Sequence, residues 1–139
     1  MTVVEGERLF EASRERVYEL LTTPEVIAAA IPAVRSHEVV DHDHWRAKVK
    51  PPLPLAPAIT IRFEVVDRRP PEHAELRAHG PGADVSSRFE LEEADGATRM
   101  RWRTELRFSG VLGHFSGPGL HTVAKRQAER TLDEVRRRL

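Results

Sequence analysis

The 139-residue chain predicts an α+β fold in which a curved antiparallel sheet of about seven strands wraps around a long C-terminal helix. Two observations carry this prediction. From residue 34 onward, apolar and polar residues alternate with a period of two between clusters of turn residues. After Gly119 the apolar residues instead recur at helical spacing, with no Gly or Pro. At this length we expect a single domain spanning 1–139.

The first segment, 2–12, alternates as a half-buried strand does, with glutamates on one face. Its other face carries Val4, Gly6, Arg8 and Phe10. Two short helices are predicted next, over 14–21 and 24–30. Ser13 offers an N-cap to the first helix. For the second, Thr23 supplies a capping hydroxyl and Pro24 takes the first helical position, where a missing N–H costs nothing.

Six further strands complete the predicted sheet. They span 34–41, 45–50, 58–66, 73–79, 84–92 and 98–109. Asp95-Gly96 is the strongest hairpin signal between them, and Gly80-Pro81-Gly82 predicts a further turn. In the last strand, apolar residues from Met100 to Phe108 alternate with arginines from Arg99 to Arg107. A sheet with one apolar face needs a cover on that face.

The C-terminal segment supplies that cover. After Gly117-Pro118-Gly119 one stripe of the predicted helix is formed by Leu120, Val123, Ala124, Ala128, Thr131, Leu132, Val135 and Leu139. At about 1.5 Å per residue this helix is about 30 Å long, enough to cross six or seven strands spaced about 4.8 Å apart.

Composition excludes several classes of protein. Lys+Arg and Asp+Glu number 22 each, so no net charge attracts nucleic acid or an anionic membrane. Without Cys there is no disulfide framework, thiolate metal site or thiol nucleophile. No apolar run approaches the roughly 18–20 residues of a membrane span, and the first residues lack the pattern of a signal peptide. We therefore expect a soluble cytoplasmic protein.

Two groups of histidines are candidates for chemistry. Asp41-His42-Asp43-His44 has metal-binding residue types, but four consecutive residues at a hairpin point in different directions, which favours a solvated turn. No metal ion or cofactor is predicted. His114 and His121 are weak candidates for a general acid or base; the alternative is that both lie at the surface.

Three polar residues share otherwise apolar strand faces. Arg8 would bind a carboxylate or a quinone oxygen if its face is the inner one; the alternative is a strand-end side chain that reaches water. Ser87 and Thr104 would bind a ligand's polar group, or each other. The arginines from Arg99 to Arg107 are interpreted as cross-strand ion pairs with Glu64, Glu90 and Glu105 rather than as a nucleic-acid strip.

The order of elements and several local motifs resemble the START-like, helix-grip superfamily, which is also called the SRPBCC or polyketide cyclase-like group. The closest resemblance is to the CoxG-like subfamily, whose members are associated with carbon monoxide dehydrogenase. The residues that carry it lie at 10–13, 16–21, 23–25, 27–32, 96–100 and 109–113. After Ile31-Pro32 this chain has Ala33 and Val34, where the subfamily usually has Gly and often Cys.

This resemblance implies an apolar cavity between sheet and long helix that takes a small hydrophobic ligand, such as a lipid, a quinone or a polyketide-like molecule. The predicted ligand-binding residues are Ile27, Ile31, Trp45, Ile61, Phe63, Phe89, Trp102, Thr104, Leu106, Val123, Gln127 and Arg8. The alternative is that the apolar members form a packed core.

Binding is favoured over catalysis in this interpretation. The enzymatic alternative is a polyketide cyclase or aromatase in which His114 or His121 is the base and Arg8 stabilises an anion. A further possibility, which the subfamily resemblance implies, is an accessory protein that docks on a molybdenum hydroxylase such as carbon monoxide dehydrogenase. The fold accommodates binders and enzymes alike, so the fold does not decide between them.

Overall fold

The computed structural model describes residues 1–51, 55–113 and 117–139, and within them seven strands form one antiparallel sheet. The strands are β1 (Thr2–Phe10), β2 (Val34–Val39), β3 (His44–Val49), β4 (Ile59–Arg69), β5 (His73–Gly80), β6 (Ala83–Ala94) and β7 (Ala97–Phe108). Their order across the sheet is β1-β7-β6-β5-β4-β3-β2, so the first strand lies beside the last. The α+β class and the antiparallel sheet are as predicted.

The helices of the described residues are α1 (Arg14–Leu21), α2 (Pro24–Ala30), α3 (Gly110–Gly113) and α4 (Pro118–Arg136). The N-cap of α1 is confirmed, because Oγ of Ser13 accepts a hydrogen bond from the backbone N–H of Arg16 at 3.2 Å. The predicted cap at Thr23 is wrong. Its hydroxyl donates to the carbonyl of Glu19 in α1 instead, so α2 begins without a side-chain cap.

The Asp95-Gly96 turn is confirmed. Both residues have positive φ, 51° and 83°, and they join the last residue of β6 to the first residue of β7. This backbone conformation matches the twist of the two strands, and Gly adopts it at no steric cost. The turn fixes the register in which Phe89 faces Trp102 and Ser87 faces Thr104.

All helices that cover the sheet lie on one face, which we call the inner face. Helix α1 packs on β6 and β7, α2 packs on β2 and β3, and α4 packs on β1 and on α2. The long helix therefore shares the cover with the two short ones. The predicted alternation is confirmed, since Val4 and Phe10 of β1 and Met100 and Trp102 of β7 are buried on this face.

The most deeply buried side chains come from the strands, from α1 and from α4. The fully buried side chains of greatest volume are Trp45, Phe10, Val4, Val17, Val135 and Thr98. Thr98 satisfies its buried hydroxyl by donating to the carbonyl of Ala12, 2.7 Å away, which ties β7 to the segment between β1 and α1.

Candidate functional site

A half-buried region lies at the middle of the inner face, on β5, β6 and β7. We call it the central patch; its members are Leu76, Val85, Ser87, Phe89, Thr104 and Leu106. The register makes it contiguous, because Leu76 faces Ser87, Ser87 faces Thr104, and Val85 faces Leu106. Most of its residues are apolar, yet all remain partly accessible to water.

The part of the inner face that α2 covers is packed more closely than the central patch. The rings of Trp45 and Phe63 are stacked at 3.8 Å between centroids, with 2° between their planes, and Trp45 is only 2% exposed. Ile27 of α2 and Ile61 of β4 are buried in the same core. These four residues of the predicted ligand set thus lie in closely packed surroundings.

The α1 end of the central patch is closed by Tyr18. Its ring meets Phe89 edge to face at 5.8 Å, and its hydroxyl donates to the carbonyl of His73 at 3.0 Å. Burial raises the pKa of Tyr18 above the ordinary value of a phenol. Tyr18 therefore stays a neutral donor, and its hydrogen bond holds α1 in place beside Phe89.

The polar residues of the central patch pair with each other. Oγ of Ser87 and Oγ1 of Thr104 are 2.8 Å apart, on directly opposed residues of β6 and β7. One hydroxyl proton serves this bond and the other remains free to be donated. The pair places a small polar point inside an apolar surface.

Arg8 extends from the inner face of β1 to α4. Its guanidinium lies 2.7 Å from the carboxylate of Asp133 and 2.8 Å from that of Glu129, and its side chain is 11% exposed. Burial opposes the charge, but the hydrogen bonds to the two carboxylates outweigh it and raise the pKa of Arg8. The side chain is thus held between β1 and α4 and does not extend into water.

Lys125 strengthens the same attachment. Its ammonium donates to the carbonyl of Glu5 at 2.9 Å. Lys125, Glu129 and Asp133 recur every four residues, so they form one stripe of α4 that faces β1. The roles of Glu129 and Asp133 were not predicted from the sequence; the available signal was two acids at helical spacing opposite an inward-facing arginine.

The remaining predicted ligand residues lie on both sides of the central patch. Trp102 is buried and lies directly over Gly6 of β1. Ile31, Val123 and Gln127 are half-buried. His121 is exposed in the first turn of α4, while His114 lies outside the described residues.

The Asp41–His44 segment is a solvent-facing turn. Oδ1 of Asp41 accepts from the backbone N–H of Asp43 and lies 2.8 Å from Nδ1 of His44. The hydrogen bond from His44 lowers the pKa of Asp41, and the same contact raises the pKa of His44. Within the described part of the chain, no three His, Asp or Glu residues are placed to hold a metal ion.

The outward arginines of β7 form ion pairs, but mostly with other partners than predicted. Arg99 lies 3.2 Å from Glu7, and Arg103 lies 3.3 Å from both Glu5 and the predicted Glu105. The reason is the strand order, since β1 is the neighbour of β7. Of the other predicted partners, Glu64 on β4 instead lies 3.4 Å from His44.

The same outer face forms one side of two open clefts of about 510 Å³ each. The first lies over β1, β7 and β6, and the second reaches from β7 and β6 across the ends of β5 and β4 to the start of α1. Charged side chains dominate the lining of both. The first cleft touches Phe89 and Trp102 of the predicted ligand set, but its other lining side chains are mostly charged, unlike those of the central patch.

Among the described helices, none combines the length and the apolar character that a membrane crossing requires.

Comparison with known proteins places the whole chain in one family. A family model described as polyketide cyclase / dehydrase and lipid transport matches residues 1–139. No curated protein matches the chain.

Solved structures share the fold at low sequence identity. A conserved protein from Geobacillus kaustophilus is 19% identical with a TM-score of 0.82, over 98% of this chain and 93% of the other. A protein from Thermus thermophilus is 17% identical with a TM-score of 0.77, over 98% and 95%. A START superfamily protein from Mycobacterium smegmatis is 12% identical with a TM-score of 0.79, over 99% and 97%. The helix-grip, START-like architecture is thereby confirmed.

Proposed function

The chain belongs to the polyketide cyclase / dehydrase and lipid transport family, and on that basis we propose that it binds a small apolar molecule between the central patch and α4. The ligand class is a lipid, a quinone or a polyketide-like molecule. Binding is the proposed function, without a chemical step catalysed by this chain.

The observation that carries the proposal is the partial exposure of the central patch. Strands β5, β6 and β7 lie inside the sheet, with neighbours on both sides, and helices cover this face. Side chains in such a position are normally the most buried of a domain. Instead Phe89 and Leu106 remain partly accessible, whereas Trp45, nearer the sheet edge, is 2% exposed. An accessible space over the patch accounts for this inversion.

Small side chains on α4 favour the same space. Ala124 and Ala128 lie on the apolar stripe of the helix and are only partly buried. A helix that packs on a sheet fills the gap with large side chains, and methyl groups leave part of it open. Leu132 and Val135 further along α4 are buried, so the space narrows towards the C-terminal end of the helix.

The predicted ligand residues divide into two groups under this proposal. Ile31, Phe89, Thr104, Leu106, Val123 and Gln127 are half-buried and would contact the ligand. Ile27, Trp45, Ile61, Phe63 and Trp102 are buried and would support the site from behind. Arg8 would not bind the ligand directly. It would hold α4 over the site through its ion pairs with Glu129 and Asp133.

Two finer predictions stay predictions. The family match and the fold support membership of the superfamily. Membership of the CoxG-like subfamily and docking on a molybdenum hydroxylase are not tested by them. The cyclase alternative also has no support from His121, which is solvent-exposed.

The test fills the proposed space. Ala124→Leu adds three carbon atoms on the inner stripe of α4, and the matched control Ala29→Leu adds the same atoms at an exposed position of α2. Each protein is incubated with a panel of fatty acids, fatty alcohols and naphthoquinones, and retained ligands are detected by native mass spectrometry. We expect the parent protein and Ala29→Leu to retain a panel member and Ala124→Leu to lose it.

Stability measurements separate an open space from a packed core. In an open space the added leucine meets no resistance, so the free energy of unfolding stays equal or rises. In a packed core the same substitution lowers it by about 1–3 kcal/mol. A marked loss of stability in Ala124→Leu alone, together with no ligand retained by the parent protein, would refute the proposal.

A further inference from the structure

Gln127 of α4 carries a buried acceptor that the fold does not satisfy. Its side-chain oxygen Oε1 is shielded from water and has no hydrogen-bond partner among the described residues. The residue as a whole is still partly exposed. When a glutamine side chain extends into solvent, its amide group is the most exposed part of the residue. Because Oε1 of Gln127 is shielded although the residue is partly exposed, the amide oxygen points towards the protein interior.

The position of Gln127 on the helix agrees with this direction. It lies two residues from both Lys125 and Glu129, which is a rotation of about 200° at 3.6 residues per turn. Those two residues hold α4 to β1, so Gln127 lies on the opposite flank of the helix. There it is adjacent in sequence to Ala128, which packs against the core.

The other polar side chains near the proposed site each have at least one hydrogen-bond partner. Ser87 and Thr104 bind each other, and Arg8 binds Glu129 and Asp133. Thr131, one turn after Gln127, donates its hydroxyl to the backbone carbonyl of Gln127 and leaves the side-chain amide unaffected. Among the described residues, Oε1 of Gln127 is therefore the acceptor near the proposed site that lacks a donor, and a ligand donor that displaces the atoms now covering it removes the cost of a buried, unpaired acceptor.

We propose that the apolar ligand presents a hydrogen-bond donor, a hydroxyl or an N–H group, to Oε1 of Gln127. This inference rests on the proposed function and narrows its ligand class. Ethers and quinones have only acceptors, which meet Oε1 unfavourably, whereas phenols, alcohols and hydroquinones supply the missing donor. The site thus selects hydroxylated apolar molecules over their acceptor-only analogues.

The test compares two fluorescent probes of similar shape, 2-naphthol, which donates, and 2-methoxynaphthalene, which only accepts. We expect the parent protein to bind 2-naphthol about tenfold more tightly, the ratio that one buried hydrogen bond to a previously unsatisfied group supports. Gln127→Leu keeps the volume and removes the acceptor, so the two affinities should become equal. Thr131→Val, which removes a hydroxyl from the same flank, should keep the preference.

Each outcome decides between the two proposals. If both probes bind the parent protein equally, the proposal of apolar binding is kept and the donor inference is wrong. In that case the ligand donates no hydrogen bond to Oε1 of Gln127. If 2-naphthol keeps its preference in Gln127→Leu, the donor meets another group and the inference is also wrong. If neither these probes nor the mass-spectrometry panel bind, the proposed function itself fails.

Discussion

The guanidinium of Arg8 lies 2.7 Å from Oδ1 of Asp133, so a residue of β1 is bound to one near the end of α4, 125 positions later. Glu129, one turn earlier on the helix, completes a three-residue ion cluster. The arginine is mostly buried, whereas the two carboxylates are 43% and 48% exposed. In this cluster the guanidinium of Arg8 is largely removed from water, whereas the carboxylates of Glu129 and Asp133 remain well hydrated.

This asymmetry predicts unequal effects of mutation. Asp133→Asn leaves Arg8 with Glu129 and should lower the free energy of unfolding by about 1 kcal/mol. Adding Glu129→Gln removes the last carboxylate from a mostly buried cation, so the double variant should lose about 3 kcal/mol, more than twice the single loss. Urea unfolding measures both, with Glu11→Gln at an exposed position as the control. A double-variant loss that is no larger than twice the loss of Asp133→Asn contradicts the prediction.

The same cluster predicts a dependence on pH. The hydrogen bond from Arg8 lowers the pKa of Asp133, so its contribution to stability is present above the unfolded-state pKa of about 3.9 and is lost as pH falls through the lower folded value. The stability difference between the parent protein and Asp133→Asn should be constant from about pH 5 to 7 and disappear well below about pH 4. Unfolding midpoints across this range check it; a difference that persists at about pH 2 contradicts it.

Gly6 should not tolerate a side chain. A Cβ atom at this position would lie 2.8 Å from Cζ2 of Trp102, closer than real contacts allow, and Trp102 is buried. Gly6→Ala should therefore lower the free energy of unfolding by about 1–3 kcal/mol and alter the fluorescence of Trp102. Gly119→Ala is the control, because no described atom lies within 4 Å of its added carbon. Equal stability of both variants would show that Trp102 moves aside at no cost.

Thr98 should require its hydroxyl. It is fully buried and donates to the carbonyl of Ala12. Thr98→Val keeps the shape but leaves that carbonyl without this donor, at a cost of about 1–2 kcal/mol in the free energy of unfolding. Thr60→Val changes an exposed threonine of β4 in the same way and should be neutral or slightly stabilising. Thermal unfolding of the pair tests the difference.

His44 should titrate at a higher pH than an isolated histidine. Its pKa is raised chiefly by the hydrogen bond to Asp41, with Glu64 adding to the effect. Asp41→Asn should move the titration midpoint back towards the ordinary value of about 6.5, as followed by the ring-proton NMR signals. A midpoint of His44 that is the same in both proteins contradicts the assignment.

Local signals predicted the elements of the fold well. The bounds of α1 and α2 match because Ser13 and Pro24 mark their first turns, and alternation identified the inner face of every long strand. Strand ends were less accurate. The predicted strands 2–12 and 34–41 end earlier, at Phe10 and Val39, and β4 continues past 66 to Arg69. It continues through a bulge where Asp67 has a φ of 52°, which alternation does not reveal.

The candidate site was harder to predict, because it depends on how the helices divide the inner face. Trp45 and Phe89 both alternate inward in the sequence, yet Trp45 is buried on β3, where α2 packs, whereas Phe89 remains half-buried. Likewise the inward position of Arg8 follows from period two, but its partners on α4 come from the tertiary arrangement. Sequence periodicity identifies which face of a strand or helix is buried. It does not indicate how far the helices lie from the sheet.

The pairing of β1 with β7 has a consequence for synthesis on the ribosome. Strand β1 gains β7, its neighbour in the described sheet, only after residues 97–108 have been translated, and the partners of Arg8 on α4 are translated later still. Closing so long a loop is entropically costly and slow. Strand β1 is therefore without β7 while the intervening strands are translated, and the sheet is completed only when β1 and β7 meet.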